Sequence, residues 1–115
     1  MKPKLHVRIR VVHGDDFAIG PGKADLLEAI ERTGSISAAA RELGMAYRRA
    51  WLLVDSMNRC FRSPLVETAT GGFSGGGAVV SDLGREILQR FRSMEQSARA
   101  AIDADSQKIA KYLRP

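Results

Sequence analysis

Apolar residues along the chain change period several times, and each change marks an element. Leu5, Val7, Ile9 and Val11 alternate with His6, Arg8 and Arg10, a period of two that predicts a half-buried strand over 5–13 with basic residues on its open face. His13-Gly-Asp-Asp16 ends it, and Gly20-Pro-Gly22 marks a tight turn. Helical spacing then takes over for residues 23–62. Ala24, Leu26, Leu27, Ala29 and Ile30 predict a first helix that ends near Thr33-Gly34. Ile36, Ala39, Ala40 and Leu43 fall at i, i+3, i+4 and i+7, so they line one face of a short second helix with Ser35 as its N-cap and Gly44 as its stop. Ala50, Leu53, Val54, Met57 and Phe61 carry a third stripe. The last two helices, over 35–61, are spaced as a helix-turn-helix pair.

Ser63-Pro64 stops the third helix, and the apolar pattern shortens again. Leu65-Val-Glu-Thr68 and Ala78-Val-Val80 are two short strands flanking the glycine-rich run Ala69 to Gly77, which predicts a hairpin over 65–80. The first strand of the chain is available to pair with it. Ser81 and Asp82 then suit a helix N-terminus. From there Leu83, Ile87, Phe91, Met94, Ala98, Ala101 or Ile102, Ile109 and Leu113 recur every three to four residues, predicting a helix over 82–113. At ~1.5 Å per residue it spans roughly 45 Å and outruns a small body. Its far half needs a partner, most simply a second copy of the chain, unless it folds back near Asp103-Ala-Asp-Ser106.

Composition narrows the function. A chain of 115 residues with 44% hydrophobic and 27% charged positions fits one domain, spanning 1–115. The net charge of +5 and a pI near 9.9 favour anionic partners, with nucleic acid ahead of acidic lipid. The lone Cys60 excludes an internal disulfide and a cysteine zinc site, and it reads as a partly buried thiol. Neither a signal-peptide core nor an apolar run of transmembrane length is present, so the expected location is the cytoplasm, with no membrane partner.

Catalytic chemistry finds no foothold. Gly71 and Gly76 have phosphate-loop spacing, but Gly77-Ala78 follows where Lys-Ser/Thr is required. Asp15 and Asp16 near His13 read as a turn and not as a metal site, and neither His6 nor His13 has an acid–base or nucleophilic partner set. The chain is not expected to be an enzyme.

DNA binding accounts for the remaining features. Tyr47, Arg48 and Arg49 crowd the first turn of the third helix, where the macrodipole disfavours cations unless an anion faces them. That is how a recognition helix meets a major groove. Ser35 and Ser37 at the start of the second helix are candidates to hold phosphates. A glycine-rich hairpin after such a pair is a wing, and Thr70, Gly72, Phe73, Ser74 and Gly75 are its candidate contacts to phosphates or the minor groove. The fold class expected is α+β, mainly α: a winged helix-turn-helix with a long C-terminal dimerisation helix.

Ser35-Ile-Ser-Ala-Ala-Ala-Arg-Glu-Leu-Gly44 resembles helix-turn-helix segments of several bacterial regulators, the LysR type included. The continuation, Met45-Ala-Tyr-Arg-Arg-Ala-Trp51, Met57-Asn58, Leu65-Val-Glu-Thr-Ala-Thr-Gly-Gly72 and Gly75-Gly-Gly-Ala-Val79, looks like the N-terminal DNA-binding domain of the molybdate-responsive ModE regulators. The likeness covers about residues 5 to 113. It implies a homodimer on a palindromic double-stranded DNA operator and a link to molybdenum-related genes. Tyr47, Arg48 and Arg49 then start the recognition helix and Thr70 to Gly76 form the wing. Ala46 stands where the family often has a serine. Molybdate enters through the same resemblance, but family members that sense it carry a further C-terminal β-rich domain, for which no residues remain after Pro115; no cofactor is expected. Two alternatives stay open: a winged-helix module that binds a protein through the long helix and not DNA, and an oxyanion sensor with its site in the glycine loop.

Overall fold

The computed structural model describes residues 4–69 and 77–115. In chain order these form β1 (Val11–His13), β2 (Asp16–Ile19), α1 (Pro21–Thr33), α2 (Ile36–Glu42), α3 (Tyr47–Cys60), β3 (Val66–Ala69), β4 (Gly77–Val80) and α4 (Asp82–Ala110). This is a winged helix fold, mainly α, with two small antiparallel hairpins. The candidate wing residues Thr70, Gly72, Phe73, Ser74 and Gly75 lie outside the described residues.

The central element is α1. Its entry is prepared by Pro21, whose missing N–H and fixed φ suit the first helical position. Its exit is Gly34 at φ 72°, donating to Ile30 O at 2.7 Å. Ala24, Leu26, Leu27, Ala29 and Ile30 are fully buried because α2, α3, α4 and β4 all pack around this helix. Ile36, Ala39 and Ala40 of α2, Ala50, Val54 and Met57 of α3, Leu65 and Val66, Ala78 and Val80, and Leu88 and Phe91 of α4 complete one core. The small alanines let α1 and α2 approach closely. The turn from α2 into α3 uses Gly44 at φ 66°, with Met45 N donating to Ala40 O at 2.8 Å.

Two expectations change. The strand expected over 5–13 begins only at Val11, and it pairs with β2 through Val12↔Phe17 and His13↔Asp16, not with the wing. The reason is a missing partner. Strand β2 ends at Ile19 because Gly20 and Pro21 turn the chain into α1, so among the described residues no strand continues opposite residues 5–10. That segment instead runs beside α1 and α4, with Val7 and Ile9 half-buried and Arg8 and Arg10 exposed. Strands β3 and β4 form their own ladder, Val66↔Val80 to Ala69↔Gly77. The long helix is unbroken through Asp103-Ala-Asp-Ser106 and ends at Ala110, three residues short of the expected 113.

Gly84 shows why α4 starts where it does. A Cβ there would collide with Leu65 O and stand 2.8 Å from Val80 Cγ1, so only glycine lets the helix lie against the foot of the wing. Ser81 fixes the same junction: its hydroxyl accepts from Gly84 N at 3.0 Å as the helix cap and donates to Pro64 O at 2.7 Å. Further along, Arg92 joins α4 to α1 by ion pairs to Asp25 at 2.6 Å and Glu28 at 2.7 Å, and it pairs within α4 with the buried Glu95 at 2.9 Å. The hydrogen bond that this guanidinium donates to Glu28 leads in holding it above its ordinary pKa, against the opposing effect of burial.

Candidate nucleic-acid interface

Helix α3 presents its polar side to solvent because its apolar positions recur on the other. Ala50, Val54 and Met57 are buried, and Arg48, Leu52, Asp55 and Arg59, spaced i, i+4, i+7 and i+11, form one exposed line. Tyr47 and Arg49 flank the start of that line, both exposed, and the Tyr47 ring meets Trp51 edge-on with centroids 6.2 Å apart. The helix cap is Ala46, which offers no side-chain acceptor. The first amides of α3 therefore lack an intrahelical partner and a capping group, in the turn that carries two arginines and no acid. Unsatisfied N–H groups and cations together attract an anion such as a phosphate.

Both flanks of α3 are held. On one, Asn58 grips the foot of the wing: its Oδ1 accepts from Leu65 N at 2.9 Å and Val66 N at 3.2 Å, and its Nδ2 donates to Val66 O at 3.1 Å. On the other, the buried Lys23 donates to Ser56 Oγ at 2.8 Å and to Phe17 O of β2. Burial is the main cause of the lowered Lys23 pKa, countered by the neighbouring Cys60 and Asp16. The outward line of α3 is thus fixed in direction, with Arg48, Leu52, Asp55 and Arg59 exposed.

The second wing strand is tied to the helix-turn-helix at its other end. Ala78 N donates to Gly34 O at 2.9 Å, one residue before the cap of α2. Ser35 is that cap, its Oγ accepting from Ala38 N at 3.1 Å, and its oxygen lies 3.1 Å from Ser37 Oγ. Ser35 is half-buried and its acceptor role is taken by the cap; Ser37 is exposed. The structure therefore brings Ser35 and Ser37 together next to the wing base, and sets Tyr47, Arg48 and Arg49 at the tip of α3. Leu52, Asp55 and Arg59 on the outward line and the brace Lys23 are not singled out by the sequence, and Asn58 enters there only within the family-like Met57-Asn58, with no bracing role. The line was readable by stepping i+4, i+7 and i+11 from Arg48, but the two braces join residues far apart in the chain or in different elements.

This arrangement defines a class: a winged helix-turn-helix regulator whose third helix is offered outward. The chain belongs to the family described as bacterial regulatory helix-turn-helix protein, lysR family, which matches residues 23–85. It is 39% identical over 92 residues to the molybdenum transport protein ModE of Azotobacter vinelandii, covering 80% of this chain and 34% of that one. It is 46% identical over 77 residues to the molybdenum-pterin-binding protein MopB of Rhodobacter capsulatus, covering 67% and 28%. It is 39% identical over 83 residues to the DNA-binding transcriptional dual regulator ModE of Escherichia coli K12, covering 72% and 32%. The chain spans about a third of the length of these relatives. No helix among the described residues is long and apolar enough to cross a membrane.

Proposed function

We propose that the chain is a sequence-specific DNA-binding transcriptional regulator that works as a homodimer on palindromic operators of molybdenum-related genes in the cytoplasm. The observation that carries this reading is the exposed first turn of α3, where Arg48, Arg49 and uncapped amides face outward without an acid among them. A polyanion compensates that arrangement. Arg48 and Arg49 would meet base edges or phosphates, Ser37 a phosphate beside α2, and the wing residues Thr70 to Gly76 the adjacent backbone. The far half of α4, with Ile102 and Ile109 exposed, and the exposed Leu113 just beyond it are the surface for the second copy. A two-fold dimer would set two recognition helices about 34 Å apart, facing successive major grooves. The molybdenum link rests on the printed names of the relatives.

The test is selection of bound genomic fragments followed by titration in a salt series. Fragments beside genes of molybdenum uptake or use are expected. An Arg48→Ala, Arg49→Ala double variant is expected to lose ~1–3 kcal/mol for each arginine that pairs with guanine, or to bind all sequences more weakly with a salt slope reduced by about two if both meet phosphate. Unchanged binding across the series would mean that α3 is not the recognition helix.

A further inference from the structure

Leu52 sits in the middle of the outward line of α3 and is 58% exposed. A single exposed leucine on a surface is ordinary. Its company here is not that of a protein-docking patch. The residues in line with it are Arg48 on one side and Asp55 and Arg59 on the other, all exposed and charged, and charged side chains are depleted from the centre of protein interfaces. An apolar side chain bracketed by charges along its helix matches a single apolar spot in a polar, anionic surface.

The floor of the DNA major groove offers such a spot, because the C5 methyl of thymine is the apolar group displayed there among donors and acceptors. The charges on the line sort in the same way. The two arginines lie toward its ends, where a helix seated in the groove passes the phosphate walls. Asp55 lies between them, and none of the ion pairs among the described residues includes it. A carboxylate facing phosphates would be repelled, so the middle of the line looks at base edges. We infer that Leu52 is a specificity-determining residue that packs on the 5-methyl group of one thymine in each half-site. The inference rests on the DNA-binding reading proposed above.

Selection from a random duplex library with the full chain, wild type and Leu52→Ala, supplies the sites. Each thymine of the wild-type site is then replaced singly by deoxyuridine, which removes the methyl group and leaves the base pairing intact. One position per half-site is expected to weaken wild-type binding about four-fold, the effect of one buried methyl-sized group. The same replacement is expected to leave Leu52→Ala binding unchanged, and the variant to select no thymine there. Wild-type binding indifferent to every deoxyuridine overturns the inference while leaving DNA recognition standing, as does an equal loss in wild type and variant. A wild-type selection that enriches no sequence overturns both readings. Leu52 is exposed, so the variant is expected to unfold at the wild-type temperature; should it misfold, the wild-type deoxyuridine series alone still decides.

Discussion

The two halves of α4 are one continuous helix in two different surroundings. The first half has a core to lie on: Gly84, Leu88, Phe91 and Glu95 are buried at three- and four-residue spacing, Ser81 caps the start, and Arg92 ties the helix to α1. From Arg99 to Ala110 no residue is buried. Ile102 and Ile109 keep the apolar stripe going at 40% and 65% exposure, and Lys4 and Leu5 of the N-terminal segment, with Leu113 just past the helix, line the groove beside them. A stretch of that length is marginal as an isolated helix. Alanines at 100, 101, 104 and 110 and a side-chain bond from Gln107 to Asp103 at 2.8 Å favour it locally, yet an apolar stripe kept in register past the core is a surface for another helix. The same periodicity thus serves folding in one half and, in our proposal, assembly in the other.

This contrast can be broken by experiment. The largest effect is expected at Phe91, which is 1% exposed: Phe91→Ala should cost about 3–5 kcal/mol in denaturant unfolding, independent of protein concentration. A combined Ile102→Glu, Ile109→Glu variant should instead leave the unfolding of the dilute chain nearly unchanged, convert the dimer to monomer in sedimentation, and lower affinity for a two-half-site operator by about a hundred-fold or more through lost avidity. If that variant unfolds as readily as Phe91→Ala, the far half belongs to the core and the distinction fails.

The smallest effect is expected where α1 holds β2. Burial lowers the Lys23 pKa from 10.5, so the folded chain gives up this proton at a lower pH than the unfolded chain does. In the alkaline window between the two values the unfolded chain binds more protons, and stability rises with pH; below that window the burial penalty is constant. Urea midpoints followed toward pH 10.5 should show this shallow rise in the wild type and not in Lys23→Met. An identical pH profile in both would place the ammonium in better solvation than its burial implies.

Much of this architecture was readable residue by residue. The stripes Ile36-Ala39-Ala40 and Ala50-Val54-Met57 place α2 and α3, and Ser35 and Ser81 cap where their side chains said they would. The exposed tip Tyr47-Arg48-Arg49 was legible for the same reason, since what faces away from an apolar stripe faces water. The reading failed at residues 5–10, where alternation was taken for a strand although a strand also needs a neighbour to pair with. It gives no partner for Asn58 or Lys23, because those partners are set by which segments pack beside them.

Period, caps and turn residues act within a few positions of themselves, so the order of the four helices, the two wing strands and the basic tip of α3 are written in the chain, while β2 and its pairing with β1 are not. Which strand pairs with which, the two α1 carboxylates gathered on Arg92, and the two braces that aim α3 outward depend on groups up to 67 residues apart meeting in space. Hydrogen bonds and ion pairs form only over about 3 Å, so no local pattern could announce them. They exist because packing around α1 brings those groups within reach.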